Sequence, residues 1–263
     1  MNRWLLNTFT TWELGIVVVG GFILFALVGL FVFEQIAPGM RKGEVNDVTG
    51  VILGVLAAIY GIVLAFVIVS LYDDFRQTKG DIRTEASAVA MVYQDSRGFS
   101  PPVAAAIKQH IGDYIVTVRG EEWNDLRHGQ ESERAWNELD SLYRVLQSYQ
   151  PRTLSQKYFY GEVVNRVNNL MAARRERLND AEEGIPPTFE VLLVGGAVLM
   201  LTFTFLFGVR DFRVHAAMAI SVAALIGFNL LVALVLDFPF SGQVSVSSSP
   251  FTQGALIVFA QGK

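Results

Sequence analysis

Four apolar runs, each long enough to cross a lipid bilayer, constrain the fold of this 263-residue chain more than any other feature. A helix needs about 20 apolar residues to span the hydrocarbon core. The first run is too long for a signal peptide and no small-residue cleavage site follows it, so we expect it to be retained. The runs are 14–33, 48–72, 189–209 and 214–236. The sequence therefore predicts a polytopic membrane protein.

The segment between the second and third spans differs in composition from the rest of the chain. It holds most of the charged residues and shows helical periodicity. Ser100 and Pro101 mark a helix start, and Pro151 ends a helix. The last helix of the segment is predicted to bury one stripe, made of Leu154, Tyr158, Val164, Val167, Met171 and Leu178. Helices with one apolar stripe and one charged face are typical of a small helical bundle.

The predicted fold class is therefore all-α, with four transmembrane helices and a membrane-proximal helical bundle inserted between the second and third. Residues 1–72 hold an N-terminal tail and transmembrane helices 1 and 2, at about 14–36 and 48–72. Residues 73–187 form the extramembrane bundle, and residues 188–237 form transmembrane helices 3 and 4. Residues 238–263 are expected to be an ordered interfacial segment, in which "QVSVS" alternates like a short strand.

Small residues recur on one face of the second span, at spacings of four, four, three and four. They are Gly50, Gly54, Ala58, Gly61 and Ala65. Such a face lets helix backbones approach closely in lipid. One interpretation is a tight contact within or between subunits, and the other is a permeation path in which small side chains leave room.

Two large apolar residues, Ile62 and Phe66, lie beside this small-residue face. They are a candidate constriction that would gate a pore by dewetting. At the start of the same span, Asn46 or Asp47 is expected to cap the free N–H groups of the helix.

Composition and motifs exclude several function classes. The chain has no cysteine and a net charge of −4, so no thiolate chemistry and no nucleic-acid partner is expected. The three histidines have no metal-ligand spacing, and no phosphate-binding or nucleophile motif is present. We therefore expect no catalytic residue, no metal, no cofactor and no enzymatic activity. Since the spans lack internal ionisable residues, a proton-coupled transporter is also disfavoured.

Loop charges give two opposed indications of membrane orientation. Arg41, Lys42, Arg210 and Arg213 lie in short loops, which the positive-inside rule places in the cytoplasm. The helical bundle would then lie outside. Basic residues that flank the membrane on the bundle side, such as Arg76, favour the opposite orientation, so the side of the bundle stays open.

Several stretches together resemble the bacterial bestrophin-like membrane-protein family. They are "NDVTGVILGVLAAIYGIVLAFVIV", "TEASAVAMVY", "RRERLNDAEEGIPPTF" and "LDFPFSGQVSVSSSPF". The family C-terminal motif corresponds to Asp237, Pro239, Phe240 and Gly242. The resemblance implies distant kinship with the bestrophins, which are pentameric anion channels with an apolar neck on the second helix. Ser70 stands where a third apolar ring of that neck would be expected, and the acidic calcium clasp of animal bestrophins has no clear counterpart.

Two functions are compatible with these features. The leading hypothesis is an oligomeric, passive ion channel of the bacterial inner membrane, with the second span lining the pore; kinship with the bestrophins implies anion selectivity. Its partners would be the lipid bilayer, small inorganic ions and further copies of the chain, five in all if the likeness extends to assembly. The alternative is a non-conducting scaffold or sensor whose bundle binds a partner or ligand.

Overall fold

The computed structural model describes residues 2–37, 46–182 and 184–260, and nearly all of them are helical. Arg41 and Lys42, which entered the orientation argument, lie outside the described residues. The helices are α1 (Asn2–Thr8), α2 (Thr11–Ile36), α3 (Asn46–Asp95), α4 (Pro101–Thr117), α5 (Trp123–Leu126), α6 (Glu133–Ser148), α7 (Leu154–Glu182), α8 (Pro187–Phe205), α9 (Phe212–Leu236) and α10 (Ile257–Ala260). A π-helical turn, Val118–Glu122, joins α4 to α5.

Four stretches of the described chain are long and apolar enough to cross a membrane. They include α2, α3, α8 and α9. The all-α fold with four membrane helices, predicted from the sequence, is confirmed. The chain divides into two compact units, and α3 contributes to both. The membrane unit comprises residues 1–73, 184–238 and 242–244, and the helical unit comprises residues 74–183, 239–241 and 245–263.

In the membrane unit, α2 packs along α9 through small residues. Ala26, Ala219 and Ala223 have no exposed surface. A side chain added at Gly227 would lie 3.0 Å from the Cα atom of Val19, so the two helix backbones nearly touch. Close backbone approach gives the van der Waals contact that holds helices together in lipid, where hydrophobicity provides no reason to associate.

One face of α3 packs on the core of the membrane unit through Leu53, Leu56, Tyr60 and Leu64. The hydroxyl of Tyr60 donates a 2.9 Å hydrogen bond to the backbone carbonyl of Leu193 on α8. Hence α3 is attached to its own subunit along a single stripe.

Asn46, at the start of α3, is used differently from the expected helix cap. Its side-chain N–H₂ group donates to the carbonyl oxygen of Gly208 at 3.0 Å, and its side-chain oxygen accepts from the N–H of Gly208 at 2.8 Å. The two bonds fix the first turn of α3 to the connection between α8 and α9. They satisfy the backbone N–H and C=O groups of Gly208, which lies between two helices and has no partners within a helix.

The helical unit contains α4, α5, α6, α7 and the extramembrane part of α3. Ser100 is the N-cap residue of α4 and Pro101 its first residue, as predicted. The stripe predicted for α7 was wrong at its first two positions, because Leu154 and Tyr158 are 86% and 75% exposed, whereas Val167 and Leu178 are buried as predicted. The buried residues of α7 are Val163, Val167, Leu170, Ala173, Arg174, Arg177, Leu178 and Ala181. The interior of this unit therefore includes charged side chains.

The short strand expected at "QVSVS" does not form in the described residues. After α9 the backbone makes turns and two short 3₁₀ segments, Ser249–Thr252 and Gly254–Leu256. A strand needs a partner strand, whereas here the N–H of Val246 donates to the carbonyl of Pro239 at 2.8 Å, within the same turn of chain. The alternation in the sequence does not correspond to one buried face, because Val246 is buried and Val244 is 43% exposed.

Candidate functional site

The predicted constriction residues point away from the interior of the chain. Ile62 is 58% exposed and Phe66 is 73% exposed. Ser70, at the third expected level of the neck, is exposed as well. These three side chains are available to a pore, to another subunit or to lipid.

The small-residue face is also open. Gly54, Ala58, Gly61 and Ala65 are exposed. A Cβ atom added at Gly54 or Gly61 would meet no atom within 4 Å, and one at Gly50 would only reach the Phe207 ring at 3.9 Å. The small-residue face therefore makes no tight contact with its own chain in the described residues, and a contact between subunits or a permeation path stays a prediction.

Among the four candidate spans, the one in α3 is the least buried by its own chain. Only 6% of its most apolar window is buried, compared with 17%, 33% and 33% for the other three. The span in α3 therefore presents most of its apolar surface to groups outside the described residues of this chain.

Asp237 of the family motif is a structural residue in the membrane unit. Its side chain is buried, and its Oδ1 atom accepts a 2.6 Å hydrogen bond from the N–H of Ile185. Nearby, a Cβ atom at Gly184 would lie 2.8 Å from the ring of Phe238, so any larger residue there would displace the ring. Asp237 thereby ties the entrance of α8 to the exit of α9.

Gly242 of the same motif allows a turn that other residues would strain. Its φ angle is +77°, in the left-handed region, and its N–H donates to the side-chain oxygen of Asn7 at 3.2 Å. The neighbouring Gln243 accepts from the N–H of Thr11 at 3.1 Å. Gly242 therefore lets the C-terminal segment bind α1.

Pro239 and Phe240 of the motif belong to the helical unit. Phe240 is 2% exposed and packs edge-on against Trp123, with ring centroids 5.4 Å apart. The Nε1–H of Trp123 donates to the carbonyl of Val246, and Phe251 packs on the same indole ring. The motif thus serves packing and backbone geometry throughout.

A network of four buried charges, which the sequence reasoning missed, occupies the interior of the helical unit. Glu85 lies on α3, Glu122 ends the π turn, and Arg174 and Arg177 lie on α7; none of the four has exposed surface. Two positive and two negative charges cancel, so the network is electrically neutral. We call these four residues the ionic network.

Every charged member of the ionic network has more than one hydrogen bond. Arg174 binds Glu122 through both Nη atoms, with Nη1 to Oε1 at 2.6 Å. Arg177 donates to Glu122 Oε1 at 2.5 Å and to both oxygens of Glu85, at 2.5 Å and 3.1 Å. The Tyr114 hydroxyl donates a further bond to Glu85. Arg177 is therefore the link between the two carboxylates.

The protonation states follow from this arrangement. Burial alone would raise the pKa of Glu122, but the charges of Arg177 and Arg174 outweigh it and hold the pKa below its ordinary value. Burial and the Glu85 carboxylate raise the pKa of Tyr114 well above its usual range. Glu122 is thus ionised and Tyr114 neutral at neutral pH, as the hydrogen bonds require.

We expect acid to destabilise the helical unit through Glu122. Because its folded-state pKa is lowered, its contribution is fully present above the unfolded pKa of about 4.3 and is lost as the pH falls through the folded value. The unfolding midpoint of detergent-solubilised protein, measured from pH 6 to pH 3, should fall less steeply in Glu122→Gln than in the wild type. Equal slopes would contradict the assignment.

One sequence signal could have revealed the ionic network. The buried positions of α7 include Val163, Val167, Leu170, Arg174 and Arg177, whose spacings of four, three, four and three are those of a core-facing stripe. The stripe continues through the two arginines, although their charge alone suggests that they lie on the surface.

A metal or cofactor site is not apparent in the described residues. Within residues 2–37, 46–182 and 184–260, no group of three or more histidine and acidic side chains could hold a metal ion.

Comparisons with known proteins agree with this architecture. A family model described as the Bestrophin-like domain matches residues 20–251. A crystal structure of a bacterial bestrophin homolog from Klebsiella pneumoniae, carrying a single mutation, is similar with a TM-score of 0.71 and 14% identity over 93% of this chain and 99% of that one. A second mutant of that homolog gives a TM-score of 0.63 and 14% identity over 94% and 99%. No curated protein matches the chain. At 14% identity the solved structures show a shared fold, and the match of the family model over most of the sequence shows that this chain belongs to the Bestrophin-like domain family.

Proposed function

We propose that this chain is the subunit of an oligomeric ion channel in which α3 lines the pore. The observation that carries the proposal is the exposure of α3, which attaches to its own subunit by one stripe and leaves its small-residue face and Phe66 uncovered. Membership of the Bestrophin-like family and the fold shared with bacterial bestrophin homologs support it. Several copies around an axis, five by analogy with bestrophins, would enclose a path lined by α3.

Ile62 and Phe66 would form the constriction of this path. Apolar rings in a narrow pore exclude water until the pore widens, so they act as a hydrophobic gate. The glycines and alanines beside them would let neighbouring copies of α3 approach closely. Anion selectivity is the finer part of the proposal and depends on kinship with bestrophins. No catalytic role is proposed, and the location is the inner membrane of a bacterial cell.

The competing function is a non-conducting scaffold or sensor that uses its spans for anchoring and assembly. A scaffold would be favoured by a second span buried among the helices of its own subunit. The low burial of α3 points in the other direction.

Phe66→Ala should raise ion flux about tenfold in liposomes that contain the purified protein. The smaller side chain should lower the free-energy barrier at the gate by about 1.4 kcal/mol, which corresponds to a tenfold higher rate. Flux is measured separately with a chloride gradient and with a potassium gradient. Phe228→Ala is the matched control, because Phe228 is a similarly exposed phenylalanine (57%) on α9. Its flux should equal that of the wild type.

Each outcome of this experiment has a distinct meaning. Faster chloride flux in Phe66→Ala alone supports an anion channel with its constriction on α3, and faster potassium flux alone supports a channel without anion selectivity. If the two substitutions had equal effects on flux, the assignment of Phe66 to the pore would be wrong. Absence of flux from folded, oligomeric wild type and Phe66→Ala would favour the scaffold.

A further inference from the structure

The ionic network is energetically costly, so its presence requires an explanation. Moving charged groups out of water is unfavourable, and well-packed apolar residues of similar size often stabilise a protein as much as a buried ion pair. Net stability alone therefore does not explain why four charges occupy the centre of the helical unit. Their directional hydrogen bonds offer a different explanation, because each bond is strong in one geometry and costly in the others.

Glu85 is held from two directions. Arg177 of α7 binds both carboxylate oxygens, and the Tyr114 hydroxyl of α4 approaches Oε1. If the side chain at this position were apolar, α3 could rotate slightly about its own axis without losing its contacts, since hydrophobic contacts are non-directional. A carboxylate that is held by groups on two other helices does not tolerate such a rotation, because the rotation would leave a buried charge without partners.

The arginines are themselves fixed in place. Arg174 lies over the Trp136 ring at 4.7 Å and Arg177 lies over the Trp123 ring at 5.5 Å. The π turn has more residues per turn than an α-helix. It follows directly on α4 and places Glu122 on the buried side of the chain. Glu85 therefore meets a fixed set of hydrogen-bond donors rather than a mobile side chain.

We propose that Glu85 is a positioning residue that fixes the rotation of α3 about its own axis through Arg177 and Tyr114. The connection with flux rests on the proposed function, in which α3 lines the pore. Since α3 is one uninterrupted helix from Asn46 to Asp95, a change of its rotation at Glu85 would be carried along the helix toward its membrane part.

The decisive variant replaces the pair by apolar residues, Glu85→Met together with Arg177→Met, and leaves Glu122 paired with Arg174, so that no buried charge loses its only partner. Rotation is read from spin labels on cysteines introduced at Thr84 of α3 and Asn169 of α7, which line one groove of about 310 Å³. The chain has no native cysteine to interfere. Asp74→Asn, at an exposed acid on α3, is the matched control.

In the wild type and in Asp74→Asn we expect one narrow distance distribution between the labels. In the double variant the distribution should become at least about twice as wide, and flux should change by about threefold or more, the size typical of altered coupling. The unfolding temperature is the separate readout, and a merely structural network would lower it without widening the distribution below the transition.

A folded double variant with an unchanged distribution and unchanged flux would overturn the proposal. If the double variant does not fold, Glu85→Gln is measured in the same way, because it keeps the shape of the side chain and removes its charge. A wider distribution in a protein whose wild type conducts no ions would leave Glu85 as the residue that positions α3, and would reject the channel instead.

Discussion

Arg177→Met should lower the free energy of unfolding of the helical unit by about 3–5 kcal/mol, the largest stability effect that we expect from a single substitution. The change leaves Glu85 without its guanidinium partner and Glu122 with one of two, in a region where no network member has exposed surface. A buried carboxylate without a partner keeps its desolvation penalty and loses the attraction that offset it.

Arg175→Met provides the matched control for this prediction. Arg175 lies on the same helix, two residues away, and its side chain is exposed. Replacement at such a position usually changes stability by no more than about 0.5 kcal/mol. Equilibrium denaturation of the detergent-solubilised protein, followed by tryptophan fluorescence, gives both values. If the two variants lost equal stability, the assignment of Arg177 as the link of the ionic network would be wrong.

Gly196→Ala should destabilise the membrane unit by about 1–3 kcal/mol, the usual cost of overpacking. The added Cβ atom would lie 2.5 Å from the ring of Tyr60. The ring cannot simply move away, because its hydroxyl is bonded to the carbonyl of Leu193 one turn earlier on α8. The substitution must therefore either shift α3 away from α8 or break that bond.

The adjacent Gly195 makes a stringent control, since a Cβ atom there would meet nothing within 4 Å. Gly195→Ala should be neutral or stabilising by up to about 1 kcal/mol, as alanine favours a helix over glycine. Unfolding in mixed detergent micelles measures the pair. Equal effects at the two positions would show that helix propensity, and not contact with Tyr60, decides the outcome.

The sequence was sufficient for the membrane helices because a span is a matter of length and apolar composition, both local properties. The start of α4 was equally readable, since Ser100 and Pro101 act on the first turn that follows them. The outward direction of Phe66 was not readable, because the sequence does not specify which face of an apolar helix meets its own subunit.

The ionic network was beyond local reasoning for a related cause. Arg174 and Arg177 look like surface charges unless their partners are known, and those partners lie on other helices. The exposed Leu154 and Tyr158 gave the opposite error, because apolar side chains at helical spacing suggested a buried stripe where the structure has none. Both errors concern which face of a helix is inside, a property of the whole bundle.

The long sequence separation within the ionic network has a consequence for biosynthesis. Glu85 and Arg177 are 92 residues apart, so the ribosome makes Arg177 about 5 to 20 s after Glu85. During that interval the first two spans are already available for insertion, while the carboxylate of Glu85 lacks its arginine partner. The second half of α3 must therefore wait in a hydrated state on its side of the membrane. A nascent chain that stalls before α7 would present an unfinished bundle to the quality-control proteases of the cell.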